Sequence, residues 1–451
     1  MTEKEARLSR LRQLIHRFGR RELAKDTVLG FVYEGSVLVS TLLSFSLLGR
    51  SLGTEGFGDY AALYSIAAPL ITLASTGVAL AQAQHVVREH EDLEKTTQSC
   101  FSLSLSGGLL MTLVGTVLAT FIVRGLPLHA IIPIFLLEFV SYPAVLIAAN
   151  TVQVRDGYAA STPVRLVPII LRMVVLLTLF ASGHLTIAAL GTSYLIVTAV
   201  LSVVQLRRVG RRYGIKFRPG RVQKMHLKSS IVYSSGVSGL AVQNDGDKTV
   251  LAAYNYRTDL GLYSAAYKIV QFGLIPVNSF MSVTHNRFLE HDADAKGQHL
   301  RRAIRFGGVC AAYGVVFAAV VMVAAPLITI IVGDEFEGSI TIVRWLAPLV
   351  LLRSLAIFPL NGLMGLGFAR LRTGLLLFAA ALSLTLYIAL VPLWQWKGAA
   401  VGTLVGEATL AATSWIFLLR LQRRNDLSVE SRAVEPWPDT LPSEPAASAA
   451  H

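Results

Sequence analysis

Twelve apolar runs dominate this chain, and each is long enough to cross a bilayer. They lie near 27–49, 61–86, 98–123, 128–150, 162–181 and 184–205, then, after a break, near 229–252, 260–283, 303–325, 340–364, 372–393 and 398–420. About 20 predominantly apolar residues span the hydrocarbon core as a helix. The expected fold class is therefore an all-α integral membrane protein with about 12 transmembrane helices, and a short extra element is expected at 326–333. Composition agrees, since 53% of the 451 residues are hydrophobic and only 15% are charged, which is too apolar for an ordinary soluble domain.

Basic residues alternate with the runs. With the N-terminus inside, the inside segments hold 32 of the 41 Lys/Arg, the outside loops hold four (Arg50, Arg124, Arg257 and Lys397), and five lie within runs. Lys and Arg are retained on the cytoplasmic side, so both termini are expected there, in a multi-pass protein of the cell membrane. This distribution also accounts for the net charge of +13 without a nucleic-acid partner. Residues 1–26 read as a cytoplasmic amphipathic segment, with Leu8, Leu11, Ile15 and Phe18 at helical spacing among arginines. Two six-helix halves, 27–205 and 229–421, flank a basic cytoplasmic linker at 206–228. Residues 422–451 read as a disordered cytoplasmic tail, since past Arg424 the chain is rich in Pro, Ser, Ala and acid.

A duplicated motif links the halves. Gly58-Asp-Tyr-Ala-Ala-Leu-Tyr-Ser-Ile66 aligns with Gly261-Leu-Tyr-Ser-Ala-Ala-Tyr-Lys-Ile269, with Gly, both Tyr, an Ala and the Ile in register. Six spans per half give both copies the same orientation, which makes them parallel repeats with any site expected between them near the midplane. Arg50-Ser-Leu-Gly-Thr-Glu-Gly-Phe-Gly-Asp-Tyr60 resembles the outer loop after the first span of Wzx-type polysaccharide flippases. Asp245-Gly-Asp-Lys-Thr-Val, followed by Leu260-Gly-Leu-Tyr-Ser-Ala-Ala-Tyr267, resembles their seventh and eighth spans.

Those flippases belong to the multidrug/oligosaccharidyl-lipid/polysaccharide (MOP) exporter superfamily, and the likeness covers roughly residues 25–421. It implies a MATE/MOP-like fold and a flippase for a polyprenyl-(pyro)phosphate-linked oligosaccharide, moved from inner to outer leaflet for cell-surface polysaccharide biosynthesis. The implied partners are that lipid-linked sugar, the bilayer, and the polysaccharide polymerase and glycosyltransferases of the same route.

Ionisable groups within the runs are the candidate site, because each costs about 2.5–3.5 kcal/mol or more to place in hydrocarbon. Lys268 lies about nine residues into its run, roughly 13 Å deep at 1.5 Å per residue. Arg353 and Arg172 reach similar depth, and these cations suit a diphosphate-sugar headgroup. Each also has a plainer reading as half of an internal ion pair, such as Arg172 with Glu138. Lys248 follows Asp245 by three residues on one helix face, so the pair serves either substrate or itself. Asp245 and Asp247 point in different directions, and at most one faces a cavity.

Glu34, Glu138 and Glu407 are the other acids within runs, as proton carriers or interhelical partners. Together with Asp245 and Asp247 they are the candidates for ion coupling or charge pairing. Gln82, Gln84, Gln243, Asn244, Gln271, Asn278 and Asn361 suit sugar hydroxyls, although packing is the commoner use of such residues. Tyr60, Tyr64, Tyr263 and Tyr267 read as belt or packing residues.

No phosphate-binding loop, zinc spacing or nucleophile elbow occurs. The two cysteines, Cys100 and Cys310, read as small core residues. The expectation is a transporter that is not an enzyme, without cofactor, driven by H+, Na+ or membrane potential. The alternative is a cation-coupled multidrug exporter of the same superfamily, which favours an acid-dominated cavity. A glycosyltransferase or polymerase needs a large extramembrane loop or a catalytic acid/base cluster, and the longest outside loop has about fifteen residues.

Overall fold

The computed structural model describes residues 3–289 and 297–434. The first helix, α1 (Glu3–Ile71), begins inside the N-terminal segment and breaks at Gly53, whose backbone takes φ 65° and ψ −174°. A side chain is strained at that φ, so the glycine lets one helix become two arms. The second arm carries Pro69, then winds through a widened π-turn at Thr72–Thr76, α2 (Gly77–Ala83) and a second widened turn at Gln84–Arg88.

The first half continues with α3 (Leu93–Ile122), α4 (Leu128–Leu136), α5 (Tyr142–Asp156), α6 (Tyr158–Ala181) and α7 (Ile187–Tyr213). Between α4 and α5 a third π-turn, Leu137–Ser141, contains Glu138. The second half comprises α8 (Lys224–Ala253), α9 (Arg257–Leu289), α10 (Gln298–Ala324), the short α11 (Leu327–Val332), α12 (Ser339–Leu346), α13 (Leu349–Gly365), α14 (Ala369–Trp394) and α15 (Trp396–Val434). No strand occurs among the described residues.

Ten helical stretches among the described residues are long and apolar enough to cross a membrane. The first of them, Val32–Val87, has 56 residues and is folded back at Gly53, against about 20 for one crossing. Helix α8 has the length, at 30 residues, but its serines, glycines, amides and charges keep its hydropathy too low for that count. With the two arms separated and α8 added, the chain has the twelve segments read from its apolar runs.

Two expected boundaries shift. Helix α7 persists to Tyr213 and ends on left-handed Gly214, and α8 begins at Lys224, so only 214–223 of the basic linker is non-helical. That loop is pinned, with Gly220 N–H donating to Ser102 Oγ at 2.7 Å and Gln98 Nε2 to the Lys216 carbonyl at 3.0 Å. Helix α15 runs to Val434, past the expected tail boundary at 422. No Gly or Pro lies between Gly406 and Pro436, and a proline pushes the residue before it out of the helical region. The tail residues 435–451 lie outside the described residues.

Successive crossings run up and down, so the loops fall at two ends. The end that holds 89–92 and 214–223 is the basic end. The halves meet closely at both ends. At the opposite end a Cβ on Gly58 would lie 3.0 Å from Gly261 N, and a Cβ on Gly261 would lie 2.8 Å from the Thr54 carbonyl carbon. Nearer the basic end a Cβ on Gly77 would lie 2.9 Å from Ser234 N on α8. Only glycine permits such approaches.

Candidate functional site

Between these contacts lies a cavity of about 430 Å³, walled by both arms of α1, by α6, α7, α8 and α9, and by the π-turn that holds Glu138. A helix supplies a polar face when polar residues recur three or four apart. On α1 that face is Ser40, Thr41 and Ser44, and on the second arm it is Tyr60, Tyr64 and Ser65. The π-turn adds an extra residue to its helix and re-aims Glu138 inward, a geometry common at functional sites.

The cavity brings together Lys248, Lys268, Arg172, Asp245 and Glu138. Most of these charges neutralise one another. Lys248 Nζ lies 2.8 Å from Asp245 Oδ1 and 3.5 Å from Asp247 Oδ1, and sits 3.8 Å from the centre of the Tyr267 ring. Arg172 Nη1 lies 3.4 Å from Glu138 Oε1, and its guanidinium rests 4.6 Å from the Tyr142 ring centre. Lys268 differs, because among the described residues it has neither a hydrogen-bond nor an ion-pair partner. It occupies the position in the second motif that Ser65 holds in the first, and both line the cavity.

The other candidates stand elsewhere. Asp247 is fully buried behind the wall, where it accepts from Tyr263 Oη at 2.7 Å and Thr403 Oγ1 at 3.3 Å. Of the two neighbouring acids, Asp245 is thus the one on the cavity. Arg353 is not on the lining, since its Nε donates to Glu407 Oε1 at 2.9 Å and its Nη2 to Tyr267 Oη at 2.8 Å. Glu34 is exposed on the first arm rather than buried. Of the amide side chains, Gln271 lines the cavity, whereas Gln82 donates to Thr97 and Thr151, both at 3.1 Å, and serves packing.

The repeated tyrosines meet these pairs, although the pairs themselves come from segments that the repeat does not equate. Tyr64 Oη donates to Glu138 Oε1 at 3.2 Å, beside Arg172, while Tyr267 receives Arg353, beside Glu407. The second tyrosine of each motif copy is thus tied to one Arg–Glu pair. Tyr60, Tyr64 and Tyr267 face the cavity, which the default belt-or-packing reading of these tyrosines did not anticipate. Tyr194 on α7 is also on the wall, 5.8 Å from the Arg172 guanidinium. A lone tyrosine in an apolar run leaves no local signal. The Ser40-Thr41-Ser44 face does leave one, in its helical spacing.

The opposite end is tied across the halves. Arg257 Nε donates to Asp59 Oδ1 at 2.9 Å, and Ser46 Oγ donates to the Ile331 carbonyl at 2.6 Å. Arg50 reaches the same carbonyl from Nε at 3.2 Å.

A family model for polysaccharide biosynthesis proteins matches residues 28–285. No curated protein sequence matches significantly. Among solved structures the chain is similar to an inward-facing multidrug resistance MATE-family transporter of the MOP superfamily, at 12% identity over 87% of this chain and 96% of that one, with a TM-score of 0.69. An outward-facing transporter of that family matches at 13% identity over 90% and 96%, with a TM-score of 0.57. A MOP-superfamily transporter from Pyrococcus furiosus, whose reversed pocket polarity suggests a different function for it, matches at 14% identity over 90% and 94%, also at 0.57. At these identities the likeness is one of fold.

Proposed function

The chain belongs to the polysaccharide biosynthesis protein family, and from that premise we propose that it is a flippase for a polyprenyl-(pyro)phosphate-linked oligosaccharide. It is a multi-pass membrane protein with a transporter fold. The observation that carries the substrate reading is Lys268, a cation on the cavity wall with no partner among the described residues. A lone ammonium inside a membrane protein is costly, and an anionic headgroup offsets that cost each time it binds. Lys248 and Arg172, already paired, supply further donors when the phosphates displace Asp245 or Glu138 as partners.

The remaining wall suits a sugar. Tyr60, Tyr64, Tyr194, Ser40, Thr41 and Gln271 present hydroxyls, an amide and ring faces around the cations. A volume of about 430 Å³ is in the range of small-molecule sites, about 300–1,000 Å³, so it accommodates a headgroup while the polyprenyl tail stays in lipid. In this reading the basic end faces the cytoplasm of a cell membrane, and the two halves rock about the cavity.

A cation-coupled multidrug exporter shares the fold, and Asp245 and Glu138 on the wall favour it. The test is transfer of a fluorescent lipid-linked oligosaccharide in proteoliposomes, compared with efflux of a cationic dye. Lys268→Glu separates the two readings. It abolishes transfer of the anionic lipid in a flippase and preserves or raises cation efflux in a drug exporter.

A further inference from the structure

At the basic end, away from the cavity, four side chains from two parts of the chain converge. His85 comes from the widened turn Gln84–Arg88, Glu89 and Glu91 from the loop before α3, and His226 from the first turn of α8. His85 Nδ1 lies 2.6 Å from Glu89 Oε2 and 3.2 Å from Glu91 Oε1, and His226 Nε2 lies 2.8 Å from Glu91 Oε2. The two rings are 4.5 Å apart, and one donor atom from each of His85, Glu91 and His226 falls within 4.8 Å of the others.

We propose that His85, Glu91 and His226, with Glu89 as fourth donor, form a divalent transition-metal site of the zinc type that ties the first half to the second. Three features support it. First, both imidazoles are fully buried, and each has its remote nitrogen held by a serine. His226 Nδ1 is 2.9 Å from Ser99 Oγ, and His85 Nε2 is 3.1 Å from Ser229 Oγ. Such outer partners fix the tautomer and aim the other nitrogen's lone pair at a metal.

Second, His85 Nδ1 is buried inside the cluster without a hydrogen bond of proper geometry, despite the carboxylates beside it. Buried ring nitrogens are normally satisfied, and coordination satisfies this one. Third, two imidazole nitrogens and the carboxylates of two glutamates form the N and O donor set that zinc takes. Their separations of 2.6, 3.2 and 2.8 Å need to open only modestly to reach the roughly 3.3 Å between ligands of a tetrahedral shell. With both imidazoles neutral, two carboxylates leave a charge that a divalent cation balances.

The ligands are six and 135 residues apart from His85 to Glu91 and Glu91 to His226, so no compact zinc spacing marks them. Because His226 alone comes from the second half, the ion acts as a clasp between the halves at the basic end. The inference does not rest on the identity of the transported substrate, since the readout is metal binding.

The test uses the full-length protein in detergent, stripped with EDTA, then titrated with Zn²⁺ and with Co²⁺ as the visible probe. The expected result is one equivalent bound, with the absorption of tetrahedral Co²⁺ and a thermal midpoint that rises on Zn²⁺ addition. His226→Ala and Glu91→Gln should bind at least tenfold more weakly and lose the shift, while His90→Ala, an exposed chain neighbour, should match the wild type. Elution volume without metal shows whether each variant has folded. If the wild type binds no ion at micromolar Zn²⁺, or His85→Ala and His226→Ala bind as many ions as the wild type, the proposal is overturned.

Discussion

Gly58 of the first motif copy lies against Gly261 of the second, so the duplicated sequence makes the contact between the two halves at the opposite end. A Cβ on Gly261 would stand 2.8 Å from the Thr54 carbonyl carbon and 3.3 Å from Gly58 N. The shared glycine is thus explained by what it touches. Asp59, next in the chain, ties the same place to Arg257.

Gly261→Ala should therefore destabilise the protein. Alanine gains about 1 kcal/mol over glycine in a helix, but overpacking against backbone costs about 1–3 kcal/mol, and backbone cannot step aside. Gly374→Ala is the control, because Gly374 is exposed in α14 with nothing within 4 Å of its added Cβ. Thermal unfolding in detergent should rank Gly261→Ala below the wild type and Gly374→Ala at or above it. Equal midpoints for the two variants would remove the close approach.

Lys268→Ala should leave folding intact and cut transfer of the lipid-linked sugar by about tenfold or more. A hydrogen bond to a charged group contributes about 1.5–3 kcal/mol, and 1.4 kcal/mol is a factor of about ten. Lys268→Arg keeps the charge but changes its geometry, so it should retain part of the rate. Wild-type transfer by the alanine variant would sink the cationic-cavity reading.

Arg353→Ala should behave differently, because Arg353 sits off the cavity lining, bonded to Glu407 and to the hydroxyl of Tyr267. Removing one partner of a buried pair costs about 3–5 kcal/mol, whereas replacing both by apolar residues of similar size is often neutral. The measurement is a double-mutant cycle by unfolding, with Arg353→Met and Glu407→Leu. Arg353→Met alone should lower the midpoint, and the double variant should recover most of it. Additive losses would mean that the pair is not coupled.

Transfer should respond to membrane potential and not to ATP. A diphosphate carries about two negative charges, and each is worth about 2.3 kcal/mol per 100 mV. Outward movement from a negative interior is therefore favoured by about 4–5 kcal/mol. Potential is set with a K⁺ gradient and valinomycin while outer-leaflet sugar is followed. A rate indifferent to potential yet raised by ATP would rule this mechanism out.

The proposed orientation is tested by thiol labelling in a background lacking Cys100 and Cys310. A cysteine at Thr54, beside the Gly53 break, should react with an impermeant reagent added outside intact cells. One at Arg212, exposed beside Asp156 at the basic end, should not. Labelling of the Arg212 position from outside would invert the assignment.

The sequence by itself determined the helical membrane architecture, the twelve segments, the duplicated motif and the list of charges too deep to be incidental. Those features are local: apolar length specifies a crossing, and a charge inside a run is visible wherever that run sits. Tertiary structure alone decided which charges meet. Asp245 and Lys248 are three residues apart, and their pairing could be read from helix periodicity. Arg353 meets Glu407 across the intervening α14 and His226 meets Glu91 across 135 residues, while the Arg172–Glu138 pair, one of two readings open in the sequence, is set by a widened turn. Each residue along a helix rotates the side chain by about 100°, so a π-turn or a close glycine contact re-aims everything beyond it. Among the described residues Lys268 is left without an ion-pair partner as the remainder of those choices, set by how the helices are turned and not by anything written next to it in the chain.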